Sequence, residues 1–104
     1  MGRNNYHVYV KPSALNRLAA HIEFLARVSG SAAMSLYKHY EASLEFLAEH
    51  PESCPIYTPN IPIHAELRFK LFGKRYRIVF EIVTNAVYIY DIQDCRQDSD
   101  KNIV

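Results

Sequence analysis

Between Pro51 and Pro62 the chain reads PESCPIYTPNIP, four prolines in twelve residues. Proline lacks a backbone N–H and fixes φ, so this stretch cannot be regular structure in the middle of a sheet. It reads as a connector crossing the surface, and it divides the 104 residues into two parts with different apolar periods. Residues before it repeat mainly at helical spacing; residues after it alternate. A chain of this length buries one modest core, so both parts belong to a single domain over residues 1–104.

The first part opens with YHVYV, Tyr6 to Val10, whose alternation and β-branched and aromatic content predict a short strand. Pro12 breaks it and Ser13 offers an N-cap. Leu15, Leu18, Ala19, Ile22, Leu25 and Ala26 then fall on one helical face, predicting a helix over Ala14 to Val28. After the break at Ser29, Gly30 and Ser31, with Ser31 as cap, a second stripe runs through Ala33, Leu36, Tyr37, Tyr40, Leu44, Leu47 and Ala48. It ends at His50, because Pro51 disfavours helical geometry in the residue before it. So short a link makes the two helices an antiparallel hairpin.

Beyond the connector, Glu66 to Phe72, Tyr76 to Val83 and Ala86 to Ile92 read as strands. The links around Gly73 and around Thr84 and Asn85 are short enough for two-residue hairpin turns. The expected fold is α+β in the order β-α-α-β-β-β, with the helical hairpin packed on one face of a small, mainly antiparallel sheet.

Two-residue turns would place Phe72 opposite Arg75, Lys70 opposite Arg77, Val83 opposite Ala86 and Val79 opposite Tyr90. One face would then carry Leu67, Phe69, Leu71, Tyr76, Ile78, Phe80, Ile82, Val87 and Ile89 toward the helices. The other would carry Arg68, Lys70, Phe72, Arg75, Arg77, Glu81, Tyr88 and Tyr90. The segment RFKLFGKRYR holds Arg68, Lys70, Lys74, Arg75 and Arg77 in a chain whose formal net charge is only +1. Like charges directly opposite one another cost about 0.2–1 kcal/mol, which folding alone does not reward. A solvated sheet face is the ordinary explanation for alternating charge. A single-sign cluster beside tyrosines fits an anionic partner, with Lys74, Arg75, Tyr88 and Tyr90 as RNA-binding candidates.

No apolar run approaches the roughly 18 residues of a membrane span, and MGRNNYHVYV has no signal-peptide core, so a cytoplasmic protein without a membrane partner is expected. Cys54 and Cys95 are expected as free thiols, and neither they nor the five histidines show metal-ligand spacing; no metal and no cofactor is expected. Cys95, beside Arg96, reads as a small packed thiol, with a cation-lowered pKa as the other possibility.

The stretch GKRYRIVFEIVTNAVYIYDIQDCRQD, Gly73 to Asp98, resembles the RelE/ParE superfamily of type II toxin-antitoxin toxins. The matching features are Tyr76 and Arg77 followed by Ile78, Val79 and Phe80, a hairpin into an aliphatic strand, and the Arg-containing segment Asp94 to Asp98. The element order agrees over nearly the whole chain. The resemblance implies a toxin held inactive by a cognate antitoxin. In the RelE-like branch, the toxin enters the ribosome and cleaves mRNA without a metal, the ribose 2′-hydroxyl attacking the adjacent phosphate. By that resemblance Arg68 and Lys70 are the second-strand basic pair, Arg77 contacts the scissile phosphate, and Arg96 is the C-terminal cation. Cations in those places would stabilise the pentacoordinate charge.

RelE-like nucleases commonly carry a tyrosine near the C-terminus, whereas this chain ends SDKNIV. Glu81 as general base and Tyr88 or Tyr90 as stacking groups are the substitutes on the same face. The ParE-like branch inhibits DNA gyrase and needs no nuclease constellation. Three readings therefore stand: a ribosome-dependent endoribonuclease, favoured by the basic cluster; a non-enzymatic gyrase poison; and a degenerate toxin that only binds its antitoxin.

Overall fold

The computed structural model describes residues 6–59 and 65–96. The expectations on His64, Pro62 and the tail from Gln97 onward lie outside these residues. The elements are β1 (His7–Val10), α1 (Pro12–Val28), α2 (Gly30–Glu49), a 3-10 turn (Pro51–Ser53), β2 (Ile56–Tyr57), β3 (Leu67–Phe72), β4 (Tyr76–Val83) and β5 (Ala86–Asp94). Five strands form one sheet in the order β1-β5-β4-β3-β2, antiparallel except where β1 runs parallel to β5. This is the expected α+β fold, with one strand more than the sequence predicts. The proline-rich connector supplies that strand at the sheet edge, where Ile56 and Tyr57 pair with Arg68 and Leu67. An edge tolerates nearby prolines because its outer N–H groups need no ladder partner.

Helix α1 starts at Pro12 rather than Ala14, with proline at a first-turn position where its missing N–H is no loss. Ser29, not Ser31, caps α2, its hydroxyl accepting from the Ala32 N–H at 3.2 Å. The buried side of α1 is Ala14 and Leu18, with Ile22 and Leu25 packed against the core, while Leu15, Ala19 and Ala26 of the expected stripe face outward. On α2 the buried residues Ala33, Leu36, Tyr40, Ser43 and Leu47 follow the same spacing. These side chains cover Phe72, Tyr76, Ile78, Phe80, Val87, Ile89 and Ile92.

The register overturns the two-residue turn expected at Gly73. Phe72 pairs with Tyr76, Leu71 with Arg77, and Lys70 with Ile78, so the turn holds Gly73, Lys74 and Arg75. Gly73 and Lys74 both adopt left-handed backbone, with φ of 57° and 72°. One added residue reverses the relation between the faces of β3 and those of β4. Phe72 therefore joins the helix-side core, whereas Leu67 and Phe69 pack with Tyr57 and Val79 in a second cluster on the outer face. The expected Lys70–Arg77 like-charge pair does not exist. The Thr84-Asn85 turn does hold two residues, with Val83 opposite Ala86, and Thr84 takes the positive φ. Between β4 and β5 a bulge intervenes: Phe80 pairs with Ile89 but Val79 with Asp91, so Tyr90 is not opposite Val79.

Candidate interaction site

The expected continuous basic face is divided by this register. Arg68 and Lys70 lie on the helix side of β3, the strand next to the short edge strand β2. Arg68 donates from Nη1 to the Cys54 carbonyl at 2.7 Å and to the Glu52 carbonyl at 3.3 Å, and its Nη2 lies 3.9 Å from Glu66. Those contacts tie the connector to β3. Lys70 holds its ammonium 4.7 Å from the centroid of the Phe46 ring on α2. Lys74 and Arg75 line a cavity with Leu25, Leu36 and His39 of the helices. Arg77, by contrast, projects from the outer face.

Arg77 sits in a built environment. Its Nε donates to Oε1 of Gln93 at 2.6 Å, and its guanidinium carbon lies 4.9 Å from the centroid of the Tyr57 ring. Gln93, opposite Arg77 in the ladder, is fully buried. Its Nε2 donates to Asp91 Oδ2 at 3.0 Å and to the Tyr57 hydroxyl at 3.3 Å. Asp91 in turn accepts from the Ile92 N–H at 2.9 Å and from Arg17 Nη1 at 3.2 Å. The polar chain thus runs from α1 across the end of β5 to β4 and β2. Each member fixes the next, and the acceptor at Asp91 sets which way the Gln93 amide points.

Arg17, Asp91, Gln93 and Tyr57 are absent from the sequence-based candidates. Gln93 and Asp91 lie past or at the end of the expected strand, and Tyr57 lies in the expected connector. With the observed register, the outward alternation of Asp91 and Gln93 opposite Val79 and Arg77 is the sequence signal that identifies them.

The other candidates stand apart from Arg77. Glu81 is on the same face of β4 but four residues away, about 13 Å at strand rise, and accepts from the Tyr90 hydroxyl at 2.7 Å. That bond is the leading cause that raises the Tyr90 phenol pKa. Tyr88 stacks on Tyr9 with ring centroids 5.3 Å apart, and Lys11 lies over the Tyr90 ring. Arg96 forms a two-pronged pair with Asp94, at 3.0 and 2.7 Å. This pair lines a cavity between α1 and the end of β5 together with Arg17, His21, Phe24 and Tyr76. His21 reaches the Ile92 carbonyl through Nε2 at 2.9 Å and packs on Tyr76, so it is a partly packed side chain.

Cys54 is buried and Cys95 exposed, and both are free thiols. Desolvation raises both pKa values, so Cys95 does not have the lowered pKa that a cationic neighbour suggested. Among the described residues no three His, Cys, Asp or Glu side chains gather as a metal-ligand set, and no helix is long and apolar enough to cross a membrane.

A helical hairpin on one face of a five-stranded sheet, with an ordered arginine on the other, defines an α+β domain of the RelE/ParE-like class. A family model described as the ParE toxin of type II toxin-antitoxin system, parDE, matches residues 8–99. The chain belongs to this family, and is the toxin component of a type II toxin-antitoxin pair, which implies an antitoxin partner. No curated protein matches the chain.

Proposed function

We propose that this toxin acts by binding DNA gyrase and blocking it without covalent chemistry of its own. The observation that carries this reading is the separation of the cations. Arg68 and Lys70 share the helix side with Phe80 and Ile78, and Arg77 lies on the opposite face, so they cannot converge on one phosphate without unpairing the β3–β4 hairpin. Glu81, the substitute base, is about 13 Å along the strand from Arg77 and already engaged by Tyr90. A binding toxin needs none of these groups to meet. The family match to ParE toxins supports the same reading.

Expression in cells without antitoxin tests it, with gyrase trapped on DNA and new mRNA 5′ ends scored in the same culture. Growth arrest with trapped gyrase and intact messages is expected. Arrest with new ends at ribosome-occupied codons and free gyrase would return the cleavage reading to first place.

A further inference from the structure

The β3–β4 turn carries two cations that the fold itself does not use. Arg17, Arg27, Arg68 and Arg96 have ion-pair partners, and Lys11, Lys70 and Arg77 lie over aromatic rings. Among the described residues, the side chains of Lys38, Lys74 and Arg75 have no hydrogen bond, ion pair or ring contact, and the last two are consecutive on one turn. Like charges held side by side repel, so the arrangement adds nothing to folding.

The turn is nevertheless anchored. The Arg75 carbonyl accepts from the Cys95 N–H at 2.7 Å, and a Cβ at Gly73 would stand 3.0 Å from Leu36 Cδ1. Between this turn and the helices lies a cavity of about 190 Å³, with buried Leu36 and Tyr76 in its walls and exposed Ser35, His39, Lys74 and Arg75 around them. An adjoining cavity along the seam between α2 and β3 shares His39 and adds Lys70. Neither lining includes an Asp or Glu, although the chain has 11 of them against 12 Lys and Arg. A hydroxyl, an imidazole and three cations therefore follow one another along a seam of single sign.

A row of this kind suits a ligand whose charges also come in a row. Duplex DNA carries one phosphate charge per about 1.7 Å of axis and is held by several lysines and arginines along its track. Single-stranded nucleic acid is held in addition by bases stacking on open aromatic rings. The rings of this seam are not open: Phe72 and Tyr76 are buried, and the Phe46 ring has the Lys70 ammonium 4.7 Å from its centroid. Backbone contact without base stacking fits the duplex.

We propose that the seam between α2 and the β3–β4 turn binds the phosphate backbone of duplex DNA, with Lys74 and Arg75 as the principal contacts and Ser35, His39 and Lys70 alongside. The proposal takes from the gyrase reading only the relevance of DNA, the substrate that gyrase brings next to a bound toxin; the contacts themselves belong to the toxin alone. They lie on the helix side of the sheet, away from Arg77.

The test measures binding of purified toxin, without gyrase, to a short DNA duplex over a series of salt concentrations, with melting curves as folding controls. Lys74→Asn removes a charge and keeps a residue that accepts left-handed backbone, and Arg75→Gln removes a charge outside that region. Each is expected to weaken binding and to lower the slope of log affinity against log salt by about one, and the double variant by about two. Should Lys74→Asn fail to fold, Arg75→Gln decides alone. Unchanged affinity and slope overturn the proposal. Tighter binding of a single-stranded RNA or of polyglutamate than of the duplex, through the same cations, also overturns it, as does displacement of the duplex by inorganic phosphate beyond that by chloride at equal ionic strength. A supercoiling assay on the same preparations keeps the two readings apart. Gyrase inhibition by a toxin whose variants bind DNA unchanged sinks the seam alone, whereas duplex binding with the expected slopes beside uninhibited gyrase sinks the gyrase reading and leaves the seam standing.

Discussion

Asp94 is pulled in two directions: desolvation raises its pKa, while hydrogen bonds and charge from Arg96 outweigh that and hold the carboxyl below the usual aspartate range. A carboxylate depressed on folding contributes stability that is present above its unfolded value, about 3.9, and lost as pH falls through the folded value. The protein is therefore expected to lose stability below about pH 4, and Asp94→Asn to flatten that part of a melting-temperature profile. Arg68 makes a different prediction. Its bonds to the Cys54 and Glu52 carbonyls hold the connector, so Arg68→Ala should cost about 1–2 kcal/mol in urea unfolding, whatever it does to toxicity. If Arg68 is only a ligand-binding cation, stability stays unchanged.

At the scale of elements, the Gly73–Arg75 turn decides which side chains share a face. Gly73 has φ of 57°, and a Cβ there would lie 3.0 Å from Leu36 Cδ1 in the core. Gly73→Ala combines left-handed strain with that contact, and a loss of about 1–2 kcal/mol is expected by denaturant titration. A smaller effect would mean that the turn relaxes to another geometry.

This turn also marks where the sequence stops being informative. Helices α1 and α2 were legible because apolar side chains recur on one face of each, and β4 was legible to its ends, Tyr76 and Val83. Turn length was not, since Lys74 carries no sign that it takes φ of 72° beside Gly73. An error of one residue there put Arg68 and Lys70 on the wrong side of the sheet. The bulge at Tyr90 and the approach of Tyr57 to Gln93, 36 residues away, depend on tertiary packing that no local pattern encodes. Arg77 itself was legible as a candidate; the residues that hold it were not.

Across the whole molecule, the helical hairpin and the outer sheet face have separate consequences. The hairpin buries the larger apolar cluster and fixes β4 and β5, and those strands in turn set the line from Arg17 through Asp91 and Gln93 to Arg77. The basic segment is thereby distributed over the molecule. Arg68 supports the connector, Lys70 meets α2, Lys74 and Arg75 border the helices, and Arg77 faces outward. This distribution suits a toxin that works by occupying its target, and a binding inhibitor is consumed in proportion to what it blocks.

Titrating purified toxin into a supercoiling assay at known gyrase concentration tests that claim most directly. Inhibition is expected to grow with the toxin-to-gyrase ratio and to level off near stoichiometric amounts, with mRNA left intact when the same preparation is added to a translation extract. Gyrase unaffected by a large excess of toxin, together with mRNA cleaved by amounts far below the ribosome concentration, would contradict it.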